Sequence, residues 1–120
     1  MEIDEIYKKY KEANVNYETT NPETEPFKFK YKAKEILESL LTECESEESC
    51  QIENIVNLRG ALAYFIAKIN YETEDRVAAE RNFEKTLKIL ENEKFDSVSS
   101  ICYMKLRCTM YLEYIRVQNI

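Results

Sequence analysis

Apolar residues recur along this chain at spacings of three and four, and polar breaks divide the recurrence into five segments. That period lines one face of a helix, so the pattern predicts five helices. The first is expected over about residues 4–14, with Ile3, Ile6, Tyr7, Tyr10 and Ala13 on one stripe. Residues 15–26 are expected to form a connection, because Asn21-Pro22 and Glu25-Pro26 are turn or helix-start signals. From Phe27 to Lys34 aromatic or small residues alternate with lysines, which alone would suggest a strand. The continuation through Phe29, Ala33, Ile36, Leu37, Leu40, Leu41 and Cys44 keeps helical spacing, and a lone strand would have no partner. Residues 27–44 are therefore expected to be helical.

After an acidic, serine-containing break at residues 43–49, a third helix is expected over 52–71. One face carries Ile52, Ile55, Val56, Leu62, Ala63, Ile66 and Ile69, and another carries Leu58, Ala61 and Phe65. A helix apolar on nearly all sides is expected to lie between neighbours. Residues 71–76 read as a loop with a capped, acidic first turn, which suits the positive end of the next helix. The fourth helix, about residues 75–93, has Ala79, Phe83, Leu87 and Leu90 on its inner stripe, and Phe95, Asp96 and Ser97 are expected to close it and begin the next. The fifth, about residues 99–117, also has two apolar faces. Ile101, Met104, Cys108, Leu112 and Ile115 make one; Tyr103, Leu106, Met110, Tyr114 and Val117 make the other. This helix too is expected to be buried on two sides, yet no later helix in the 120 residues covers it and no polar capping element is written. The expectation is the N-terminal part of a longer solenoid, or self-association through an uncovered C-terminal helix.

One Gly and two Pro in a chain that is 44% apolar favour long helices, giving an all-α class. The net charge of −6 argues against nucleic acid and is compatible with a basic protein partner. Absence of His removes the commonest general base and metal ligand. The amino terminus lacks a secretory signal pattern, and the longest uncharged apolar run, residues 60–67, is too short to span a bilayer. A cytoplasmic location with reduced thiols is expected. Cys44/Cys50 and Cys102/Cys108 are each six residues apart. On a helix that separation turns about 600°, which puts the pair on different faces and disfavours a shared zinc ion. No phosphate loop, hydrolase or metalloprotease motif occurs, and the acidic run at Glu43, Glu45, Glu47 and Glu48 lacks the alternation and Gly of a calcium loop. The chain reads as a non-enzyme without cofactor or metal. Gly60, within a helix, reads as a close-packing position, and Tyr17 and Tyr71 stand beside expected loops as candidate contact residues.

The third and fourth patterns fit a tetratricopeptide-like unit. Leu62-Ala63 and Ile66 stand at the helix A positions, and Ala79, Phe83 and Leu87 match the helix B series; no Trp opens helix A and the connection is about four residues longer than a 34-residue repeat allows. Any antiparallel helical bundle would fit these matches equally well. The run Asn21-Pro-Glu-Thr-Glu-Pro-Phe-Lys-Phe-Lys-Tyr-Lys-Ala-Lys-Glu-Ile-Leu-Glu-Ser-Leu-Leu41 is more particular. It resembles the start of the KIF-binding protein family. That resemblance implies antiparallel helix pairs in a tetratricopeptide-like right-handed α-solenoid: a first pair over residues 1–49, a second over 50–95, and the first helix of a third pair over 96–120. It further implies binding to kinesin motor domains, interference with their microtubule attachment, and a cytoplasmic, cytoskeleton-associated role in microtubule-based transport. In the family, contacts come from the concave face and interhelical loops. By position these loops correspond to Glu23 and Glu25, then Tyr71, Glu72, Glu74 and Asp75. The chain departs from the family in the shortness of its acidic connection at 43–48. The competing reading is a generic tetratricopeptide-type scaffold or co-chaperone for a peptide or protein partner.

Overall fold

The structure is a computed structural model that describes residues 2–46, 55–91 and 100–118. These residues form five α-helices and no strand: α1 (Ile3–Glu18), α2 (Lys28–Cys44), α3 (Ile55–Glu72), α4 (Arg76–Leu90) and α5 (Ser100–Gln118). They divide into two compact units, Met1–Ile55 and Val56–Ile120. Cys50, Ile52, Phe95, Asp96, Ser97 and residues 47–49 of the acidic break lie outside the described residues.

In the first unit α1 and α2 pack against each other. α1 runs four residues further than expected because no Gly or Pro interrupts the chain before Pro22. Polar side chains near its end fold back on its own carbonyls instead: Asn16 Nδ2 donates to Glu12 O at 3.0 Å and Thr19 Oγ1 to Val15 O at 2.6 Å. Ile6 and Ala13 are buried as the spacing predicts, whereas Tyr7 is 59% exposed. Its position beside Ile6 turns it about 100° from that residue, off the buried stripe.

α2 replaces the strand suggested by Phe27 to Lys34, and Ala33, Leu37, Leu40, Leu41 and Cys44 are buried along it. Helical geometry also gives the alternating lysines a use. Lys30 Nζ stands 4.2 Å from the centre of the Tyr17 ring on α1, and Lys32 and Lys34 stand 5.2 and 5.3 Å from Phe29 and Tyr31.

In the second unit α3 is buried around most of its circumference, through Leu62, Ala63, Phe65, Ile66, Ala67 and Ile69. Ala67 packs with Ala79 and Phe83 of α4 and with Cys108, Leu112 and Ile115 of α5. A second cluster joins Leu90, Ile101 and Met104, with Ala61, Tyr64 and Ile89 against it. The inner stripe of α5 is thus the predicted one. The outer stripe is a correction: Tyr103, Leu106, Met110, Tyr114 and Val117 are exposed rather than buried between neighbours.

Candidate functional site

The six acidic or aromatic candidates fall in two places. Glu23 and Glu25 are exposed in the connection between α1 and α2. This connection has a defined form. The Glu25 N–H donates to Pro22 O at 3.0 Å, the Lys28 N–H to Glu25 O at 3.2 Å, and the Phe29 N–H to Asn21 Oδ1 at 2.6 Å. Asn21 therefore satisfies one of the open N–H groups at the start of α2 from eight residues upstream. Glu25 Oε2 lies 3.6 Å from Lys28 Nζ, an exposed pair of small energetic value.

Tyr71, Glu72, Glu74 and Asp75 share the corner between α3 and α4. Tyr71 lies in α3, within the expected span, and Glu72 joins it there rather than in the loop, so the turn shrinks to three residues, Thr73, Glu74 and Asp75. Asp75 N–H donates to Asn70 O at 2.9 Å and Glu74 N–H to Tyr71 O at 3.3 Å, the paired bonds of a helix C-terminus that closes through a left-handed residue. Glu74 is that residue, with φ 69°. Asp75 then starts α4, its Oδ1 accepting from the Ala78 N–H at 3.1 Å. Of the four, Glu74 and Asp75 are exposed, and Tyr71 and Glu72 are half-buried. Tyr71 is enclosed by the Tyr111 ring, edge-on at 4.9 Å between centroids, and by the Arg76 guanidinium 4.0 Å from its ring. Arg76 is itself steadied by Gln118 Oε1, which accepts from it at 3.0 Å.

Beside this corner lies an arginine among tyrosines that loop-based reasoning missed. Arg107 Nε donates to Tyr64 Oη and Arg107 Nη2 to Tyr111 Oη, both at 3.2 Å. The Tyr103 and Tyr111 rings flank the guanidinium at 5.6 and 5.4 Å, and Tyr111 stacks on Phe83 with centroids 4.6 Å apart. The Tyr64 hydrogen bond is the main reason that Arg107 is held even further above its ordinary pKa, so it stays charged. Burial raises the Tyr64 phenol, and Arg107 opposes that rise. The steps of four from Tyr103 to Arg107 to Tyr111 were legible in the sequence, but Tyr64 lies 43 residues away and gave no local signal. A recess of about 220 Å³ adjoins Arg107, lined also by Met110, Tyr111 and Tyr114.

Cys102 is half-buried while Cys108 is fully buried, as their rotation about α5 predicts. Among the described residues no group of three or more His, Cys, Asp or Glu is placed to hold a metal ion, and no helix is long and apolar enough to cross a membrane. Comparison with protein-family models, with curated proteins and with solved structures gives no match to this chain.

Proposed function

We propose that this chain is an interaction module of the KIF-binding type, which binds kinesin motor domains and keeps them from microtubules. The observation that carries the reading is the ordered run from Asn21 to Leu41. Its resemblance to the family is the sole source of the kinesin specificity. The architecture is compatible with it: α3 and α4 serve as a tetratricopeptide-like pair, with Gly60, Ala63, Ala67 and Ala79 all buried and small enough to allow close helix approach, and α5 serves as the first helix of the next pair.

The proposed mechanism is occlusion. A motor surface that meets an acidic microtubule must be basic, and each unit by itself offers exposed carboxylates that compete for it: Glu23 and Glu25 in the first, and Glu74 and Asp75, with Glu72 next to them, in the second. No bond is made or broken, so the role is non-enzymatic, cytoplasmic and dependent on the cytoskeleton.

Capture of purified kinesin motor domains on the immobilised chain tests this. Reversal of Glu72 and Glu74 to lysine, with Asp75→Asn to keep the helix cap, is expected to weaken capture, and rising salt is expected to weaken it further. Capture indifferent to both would remove the acidic corner from the interface; absence of capture would remove the kinesin reading.

A further inference from the structure

Arg107 ties α5 to α3 through tyrosine hydroxyls and keeps hydrogen-bonding capacity in reserve. Its Nε–H goes to Tyr64 Oη and one Nη2–H to Tyr111 Oη, both at 3.2 Å. A guanidinium has five N–H groups, so both on Nη1 and one on Nη2 are left over. Among the described residues no carboxylate meets them: the groups that act on Arg107 are the phenols of Tyr64, Tyr111 and Tyr103. Arg107 and Tyr111 stand about 60° and 100° around the helix from Met110. That is the flank Tyr64 reaches, so the guanidinium belongs to the seam between α3 and α5 rather than to the outer stripe.

We propose that Arg107 anchors a carboxylate-binding site, whose ligand is a single carboxylate on a short apolar or aromatic body. The free N–H groups of Nη1 and Nη2 donate to the two carboxylate oxygens. The Tyr64 and Tyr111 hydroxyls accept from Arg107 and keep their own protons to donate. Burial raises the Tyr64 phenol, so its proton is held at neutral pH. The apolar body lies in the adjoining recess of about 220 Å³, against Met110 and the rings of Tyr111 and Tyr114.

Three further observations favour this ligand. The tyrosine bonds already fix a side chain that would otherwise lose rotamer freedom on binding, which lowers the cost of capture. Arg107 is the one charged residue lining the recess, and it balances a single negative charge. Phosphate sites instead draw on clusters of basic groups. Although the chain carries −6 overall, α5 has Lys105, Arg107 and Arg116 against Glu113, and α3 has Arg59 and Lys68 against Glu72. The two helices that build the site therefore attract an anion. The carboxylate arrives either on a free small molecule or as an Asp or Glu side chain beside an apolar residue of another protein. Neither source draws on the acidic corner or on the kinesin reading.

Nuclear magnetic resonance of the Arg107 Nε–H during titration tests the site. The probes are 3-phenylpropionate and the capped peptide acetyl-Phe-Glu-amide. A dissociation constant on the order of 1 mM is expected for 3-phenylpropionate, with binding of the neutral 3-phenylpropanol at least about tenfold weaker. Arg107→Lys keeps the charge but loses the planar fork, and is expected to weaken binding at least about tenfold. Tyr114→Ala changes an exposed side chain outside the core and is expected to weaken it several-fold with the helical circular dichroism unchanged. Tighter binding of the peptide than of the free acid, or the reverse, supports the inference and names the source. No shift with either carboxylate, equal binding of the alcohol, binding indifferent to both variants, or tighter binding of inorganic phosphate would overturn it.

Discussion

Leu90 occupies the space that a side chain on Gly60 would need: a Cβ added there would stand 2.6 Å from Leu90 Cδ2 and 2.8 Å from its Cγ. Leu90 is fully buried, so it has no open space to move into. Gly60→Ala would gain about 1 kcal/mol in helix propensity, but overpacking a closed core costs about 1–3 kcal/mol. Destabilisation is expected, by about 1 kcal/mol, with recovery when Leu90→Val is added to Gly60→Ala. Urea denaturation of the single and double variants measures both; a more stable Gly60→Ala protein would contradict the close contact.

The corner after α3 sets two opposite expectations on adjacent residues. Glu74 has φ 69°, a conformation that costs an ordinary L-residue about 1 kcal/mol, so Glu74→Gly is expected to stabilise by about 0.5–1 kcal/mol. Asp75 caps α4, so Asp75→Ala is expected to cost about 1 kcal/mol, while Asp75→Asn retains the acceptor and most of the stability. Thermal melts of the three variants give the ranking directly.

Asn21 gives a structural meaning to a residue that first stood out as part of a motif. Loss of its Oδ1, which accepts from the Phe29 N–H, leaves a donor at the start of α2 without its side-chain partner. Asn21→Ala is expected to destabilise by about 1 kcal/mol and Asn21→Asp by much less, since a carboxylate keeps the acceptor and suits the helix dipole. Equal melting temperatures for wild type and Asn21→Ala would deny the contact.

Alkaline pH is expected to unfold the protein earlier than its surface charges alone would require. Burial pushes the Cys108 thiol from 9.0 up to about 12, with its side-chain hydrogen bond with Thr86 opposing, and burial also raises Tyr10 and Tyr64. The folded state thus holds these protons longer than the unfolded chain. Their stabilisation is complete below about pH 9 and declines as pH rises toward 12, at about 1.4 kcal/mol per pH unit for one such thiol. Melting temperature measured from pH 7 to 11 is expected to fall above pH 9, less steeply in Cys108→Ala. At pH 8 a thiol reagent is expected to modify Cys102 well before Cys108; the reverse order would contradict the burial.

Much of the helical order was legible because each helix has a repeating apolar stripe and only one Gly and two Pro interrupt the chain. α5 shows both the success and its boundary. Its inner stripe from Ile101 to Ile115 is buried, but the equally apolar outer stripe is exposed, because periodicity says that a face is apolar and not what covers it. α1 outran its expected end because side-chain bonds from Asn16 and Thr19 support its last turn. Tyr71 stands at the expected end of the third helix, beside a polar run that suggests an exposed contact residue, yet its ring packs on Tyr111, 40 residues away. The arginine site was hidden for the same reason: its Tyr64 contact arises only once α3 and α5 are side by side.

The central functional claim is the exclusion of motors from microtubules, and co-sedimentation tests it most directly. A kinesin motor domain is mixed with stabilised microtubules and a rising concentration of the folded chain. The account predicts progressive loss of motor from the microtubule pellet, with the chain and motor together in the supernatant and the effect reduced by the Glu72→Lys, Glu74→Lys, Asp75→Asn variant. A motor that stays wholly in the pellet at a large excess of chain would contradict it.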